Sequence, residues 1–213
     1  MKLDALQIGV FDMVAVGVLL FGLFRGRKRG MSLEMLDLLK WLAILFGSAA
    51  LYPLIADTIL RFAHLNLLVA NLVSYGIAIG AINILFGFIK RAVGEKIVGA
   101  DVFGGSEFLL GMIAGMFRYA CILVVGMSFI GARYYSPEEI AATKKFQQDA
   151  FGNISFPTLM SVQQTVFAES MTGNYTKRYL AVQMLKPTSY SGAPTPGQRF
   201  KERQEKALDE TLK

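Results

Sequence analysis

The sequence predicts an all-α integral membrane fold, a four-transmembrane-helix bundle with a mostly helical C-terminal extension, and three observations carry that prediction. The 213 residues are 54% hydrophobic and only 18% charged, where a soluble domain carries about a quarter, and the mean hydropathy is +0.44. The apolar residues come in runs near the length, about 20 residues, that a helix needs to cross a hydrocarbon core of about 30 Å. The charge is segregated: ten Lys/Arg lie in residues 1–106, one lies in 107–130, and eleven lie beyond. The net charge of +6 clusters beside the apolar runs, so it points to a membrane surface and not to nucleic acid.

The first run, residues 5–24, is interrupted only by Gln7 and Asp12. Its basic cluster follows the apolar stretch instead of preceding it, so it does not read as a cleaved signal peptide. The second run, 41–56, reaches spanning length if its helix begins near Leu33. The third, 67–89, contains no charge, and the fourth, 108–130, contains only Arg118. Four crossings place both termini on one side. The loop after the first run carries Arg25, Arg27, Lys28 and Arg29, and the loop after the third carries Lys90, Arg91 and Lys96; the opposite flanks carry Lys2, Arg61 and Arg133. Seven against three puts the basic loops in the cytoplasm and both termini outside, with Lys144 and Lys145 narrowing the margin.

Gly76-Ile-Ala-Ile-Gly80 and Gly111-Met-Ile-Ala-Gly115 are small-xxx-small patterns that let helix backbones approach closely. They predict a tight hairpin of the third and fourth spans, with Gly87 and Gly126 extending its seam. After Gly131 the composition changes. Ser136-Pro137-Glu138-Glu139 starts a helix expected to stop at Gly152-Asn153. A second start follows at Ser155-Phe156-Pro157-Thr158, with Phe156, Leu159, Met160, Val166, Phe167 and Met171 on one stripe into which Gln163 and Ser170 intrude. Such a stripe suits a helix in the membrane interface or one packed on a partner. From Pro187 the composition is that of a linker, and residues 198–213 read as a disordered tail or a solvated helix supported by Glu202 and Lys206. The expected divisions are therefore 1–130, 131–186 and 187–213.

An ionisable side chain within a span faces other helices or a water path. Asp12 and Arg118 enter from opposite sides, and their depths predict a pair inside the bundle; the alternative is that each snorkels separately to its nearer interface. Arg118 is the deeper of the two. Glu34, Asp37 and Lys40 recur every three residues and form one polar face at the start of the second span, either simply solvated, receiving Arg25 or Arg29, or lining a polar entrance to the bundle. Trp41 sits where an interfacial aromatic anchors a helix, and Asn83 is placed to hydrogen-bond between helices.

Conventional catalytic chemistry finds little support. The glycines of residues 99–106 approach phosphate-loop spacing, but Gly105 stands where the essential Lys belongs. His64 is the only histidine and has no nucleophile beside it in sequence; Cys121, the only cysteine, lies deep in the fourth span and excludes an intrachain disulfide. Asn153-Ile-Ser155 and Asn174-Tyr-Thr176 match the glycosylation sequon, a short pattern that arises by chance. The expectation is no catalytic site, no cofactor and no metal.

The order of several short motifs resembles the colicin V production protein (CvpA) family. Phe11-Asp12, Arg29-Gly30, Glu34 and Trp41 resemble its front half. Gly80, Ala81 and Asn83, then Glu107-Phe108, Leu110-Gly111, Gly115 and Arg118, resemble its second half, where the family pattern is Asp-Arg-x-Leu-Gly-x-x-x-Gly-x-x-Arg-Gly. This chain has Glu107 for the Asp, Phe108 for the Arg and Tyr119 for the last Gly, and a longer loop between the third and fourth spans. The resemblance covers roughly residues 5–130 and weakens beyond. It implies a bacterial inner-membrane protein, a non-enzymatic accessory or scaffold for toxin production or export and for envelope homeostasis. The bilayer and either a second copy or a membrane partner protein are the expected partners, with no nucleic acid. A second reading is a small oligomeric channel or transporter using Asp12 and Arg118.

Overall fold

In hydrocarbon a chain must satisfy its backbone internally, and a long apolar run does so as one continuous helix. The computed structural model describes residues 8–63, 65–98, 104–151 and 157–189. Its four long helices are α1 (Val10–Arg29), α2 (Met31–Phe62), α3 (Leu67–Val98) and α4 (Glu107–Ile130); α5 (Pro137–Phe151), α6 (Leu159–Phe167) and α7 (Met171–Tyr179) follow. Three of them, α2, α3 and α4, are long and apolar enough to cross a membrane. At about 1.5 Å per residue, the 32 residues of α2 and of α3 extend well past a 30 Å core.

The first helix is as long as its expected run, 20 residues, but lies five residues further along the chain and is more polar. Among the described residues it begins at Val10 and ends in Arg27, Lys28 and Arg29. The basic cluster expected in a loop is therefore the C-terminal end of α1, where cations suit the helix macrodipole. Gly30 alone separates α1 from α2, and its φ of +77° is a backbone conformation that favours glycine.

The bundle carries large apolar side chains on its outer surface and buries small and hydroxyl residues beside its apolar core. Leu20, Phe24, Leu54, Ile84, Phe88 and Phe108 face outward, whereas Ser48, Ser74, Ser128, Ala70, Ala78 and Ala114 are buried. Ser48, Ser74 and Ser128 donate to the carbonyls of Ile44, Ala70 and Val124, one turn earlier in their own helices, so these three buried hydroxyls are paired. That arrangement suits a lipid surround, where packing and not water exclusion holds helices together.

The spatial order is α1, α4, α2, α3: α4 lies between α1 and α2, and α3 packs on the other flank of α2. This overturns the expected glycine hairpin of the third and fourth spans. A methyl group on Gly76, Gly80, Gly87 or Gly126 would meet nothing within 4 Å. Gly111 and Gly115 do form a close seam, but with Gly22, Gly26 and Gly30: a methyl on Gly22 would come within 2.9 Å of the Gly115 carbonyl, and one on Gly111 within 2.6 Å of the Gly26 carbonyl. The repeat Gly22-Leu-Phe-Arg-Gly26-Arg-Lys-Arg-Gly30 carried that signal.

One end of the bundle gathers the end of α1, the start of α2, the end of α3 and the start of α4; we call it the basic end. The segments after Ile130 fold back as a cap on the opposite end. Ser136 begins α5 as expected, accepting from Glu139 N–H at 3.1 Å while the Glu139 carboxylate accepts from Ser136 N–H at 3.3 Å, a reciprocal capping box. The single stripe expected over 156–171 breaks between α6 and α7, and the two polar residues that seemed to intrude explain why. Buried Ser170 caps α7, accepting from Gly173 N–H at 2.9 Å. Gln163 donates to the carbonyls of Ile130 and Arg133, at 3.2 and 2.8 Å, and so satisfies groups left open at the end of α4. Arg133–Tyr134 pairs in parallel with Thr188–Ser189, and the bundle core continues into the cap through Val166, Met184 and Leu185. The expectations for His64, most of the glycine loop at 99–106, the Asn153 sequon and the tail at 198–213 fall outside the described residues.

Candidate functional site: a buried charge cluster and a carboxylate tie

At the basic end, Glu34 and Asp37 project from the first two turns of α2 into the space between α1 and α4. Arg118 meets them, its Nη1 lying 2.6 Å from Glu34 Oε2 and 3.4 Å from Asp37 Oδ2. Arg29 at the end of α1 lies 2.9 Å from Asp37 Oδ2 and 3.7 Å from Glu34 Oε1. Lys90 of α3 and Lys40 of α2 approach the other Asp37 oxygen at 3.4 and 4.0 Å. Asp37 thereby links all four long helices. Glu34 is fully buried and Arg118 is 5% exposed. Buried charges of this kind persist only with opposite charge at hand, since desolvation costs several kcal/mol per ion. The Glu34 contact is one of charge proximity, because neither Glu34 oxygen has an aligned hydrogen bond.

The expected Asp12–Arg118 pair is not formed, and helix geometry explains it. The glycine seam sets Gly22 level with Gly115 and Gly26 level with Gly111, which puts Asp12 level with residue 125, about 10 Å beyond Arg118 along the axis. Helical side chains lean toward their own N-terminus. Arg118 therefore reaches toward the basic end, where Glu34 and Asp37 wait, and away from Asp12. Neither does Asp12 snorkel. It is 7% exposed and accepts from the N–H groups of Gly9, Met171 and Thr172 at 2.9, 3.0 and 2.8 Å. One carboxylate thus caps α1 and the first turn of α7 together, where both macrodipoles favour negative charge.

The polar face of Glu34, Asp37 and Lys40 receives Arg29, one of the two partners expected for it, and Arg118 in addition. Arg25 is exposed. Asn83 is exposed and donates to Ile79 of its own helix instead of bridging to another. Cys121 is buried among apolar side chains. A third tie was not anticipated: Glu107, at the start of α4, accepts from Ser32 N–H at 2.7 Å and from Ser32 Oγ at 3.1 Å. A side chain on Gly30 would strike the same carboxylate, at 2.6 Å. Tyr119, where the family pattern has glycine, fits because it packs edge-on against Phe21, ring centroids 5.4 Å apart, over the space left by Gly22. The described residues contain no group of three or more His, Cys, Asp or Glu side chains arranged to hold a metal ion.

Long apolar helices joined by internal ion pairs, with small residues at their contacts, define an α-helical membrane protein. The chain belongs to the colicin V production protein family, whose model matches residues 11–172. The match runs through the cap to the start of α7, further than the resemblance read over 5–130, and includes both Asp12 and Thr172. Comparison with curated proteins and with solved structures gives no match.

Proposed function

We propose that the protein is a multi-pass inner-membrane scaffold or accessory component, without catalytic activity, that supports production or export of a peptide toxin and envelope homeostasis. In this reading α1 is the fourth span, the basic end is cytoplasmic, and the cap and both termini lie outside. The observation that carries it is that the ionisable groups inside the bundle are engaged in tying helices to one another and to the cap. Such a framework is suited to presenting surfaces. The family description, colicin V production protein, supports the process but names no reaction. A channel with Asp12 and Arg118 on one path is less favoured, because the two belong to separate ties facing opposite ends. In-membrane crosslinking with a short amine-reactive reagent should capture a homo-oligomer or a complex with another membrane protein. Recovery of monomer alone over a range of reagent concentrations would reject the scaffold reading.

A further inference from the structure

We propose that the notch between α2 and α3 at the basic end binds the phosphate of an anionic phospholipid. Its walls are Asp37 and Lys40 of α2 and Asn83, Phe86, Gly87 and Lys90 of α3, around a cavity of about 90 Å³, room for roughly three waters. That volume suits a phosphate and is too small for a nucleotide. The charge is in excess of what the cluster itself requires. Among the described residues, Arg29, Lys40, Lys90 and Arg118 lie against two carboxylates, Glu34 and Asp37, and Glu107 at the same end is engaged by Ser32. Asp37 holds the two arginines at 2.9 and 3.4 Å through Oδ2, whereas the two lysines share Oδ1 at 3.4 and 4.0 Å.

Each ammonium has three donors, so Lys40 and Lys90, both near one oxygen, can also turn to a single phosphate between them. Lys90 is more than half exposed, which gives a headgroup access from the side. The depth is right as well: Trp41, an interfacial anchor by residue type, lies beside Lys40, whose Nζ is 6.0 Å from its ring. Exposed Ile84, Leu85 and Phe88 on α3 would lie against the acyl chains. Basic pockets between spanning helices bind anionic headgroups in this manner. The inference rests on the membrane reading and is independent of the scaffold reading.

The test is a titration of the full-length protein in neutral detergent with phosphatidylglycerol, read by thermal unfolding, with phosphatidylcholine and inorganic phosphate in parallel. Phosphatidylglycerol alone should raise the melting temperature. Lys40→Gln with Lys90→Gln should move the titration midpoint up by on the order of tenfold or more, while Arg27→Gln with Arg91→Gln, an equal loss of charge at exposed sites, should leave it within about twofold. Gly87→Leu, which fills the notch and removes no charge, must also weaken binding and guards against a lysine variant that fails to fold. An equal loss in both charge-removal pairs, or wild-type binding by Gly87→Leu, overturns the notch. A shift with inorganic phosphate matching that with lipid overturns the lipid as its source.

Discussion

Asp12 shows how one carboxylate can decide where a whole segment docks. Its two oxygens accept from three backbone N–H groups, one at Gly9, the N-cap of its own helix, and two at the start of α7. Hydrogen bonds to an ionised acceptor contribute about 1.5–3 kcal/mol where a neutral pair gives about 1. Asparagine keeps one acceptor oxygen but places an N–H₂ donor against another donor. Asp12→Asn should therefore cost about 1–3 kcal/mol in stability and loosen the cap before the bundle. The check is limited trypsinolysis at Lys177 and Arg178, both in the last turn of α7, where the variant should be cut faster under conditions that leave the long helices intact. An unchanged cleavage rate would show that the apolar cap contacts suffice alone. Asp12 was visible in the sequence as an anomaly; its partners were not, because the amides of Met171 and Thr172 carry no side-chain signal. Arg118 was also visible, and its partners were in principle legible: Glu34 and Asp37 share one helix face, and an arginine on a helix reaches toward that helix's N-terminus.

The helices themselves were legible because apolar length and capping chemistry are local properties. Ser136-Pro137 marked the start of α5, and Thr158 caps α6 through Ser161 close to the second expected start. Pairing between helices is not local. Two spans bore obvious glycine pairs and were matched to each other, yet the partner of Gly111 and Gly115 was a third repeat half hidden among arginines. The structure makes the two kinds of glycine separable by experiment. A methyl on Gly26 would run into the Gly111 carbonyl, so Gly26→Ala must push α1 from α4 at a cost of about 1–3 kcal/mol. Gly80 has open space around it, so Gly80→Ala should be neutral or gain up to about 1 kcal/mol from helix propensity. Thermal unfolding of the two variants in the same detergent reads the contrast directly. A greater loss in Gly80→Ala than in Gly26→Ala would return the seam to the third and fourth spans, or place a second copy against α3.

At the scale of the molecule, the bundle has two unlike ends. Arg27, Lys28, Arg29 and Lys90 mark one, and the other is covered by a cap whose docking uses α1, α2, α3 and α4 together: Asp12 to α7, Tyr52 to Lys186 N–H, Asn71 to Thr188, and the carbonyl of Ile130 to Gln163. The cap could be read in sequence as helical but not as docked, since its stripe served equally for a membrane surface, a foreign partner or its own bundle. The unequal ends also make α1 the deciding helix. Its start meets the cap and its end carries the basic cluster, so if α1 crosses the bilayer these features face opposite compartments. Because α1 packs along α4 through the glycine seam, it crosses with α4 or not at all. With buried Cys121 replaced by alanine, single cysteines at Lys28 and at Lys177 report on the two ends. In spheroplasts a membrane-impermeant maleimide should label Lys177→Cys at once and Lys28→Cys only after permeabilisation. Labelling of both from one side would show that α1 does not cross, and labelling of Lys28→Cys alone would invert the orientation while preserving the fourth span.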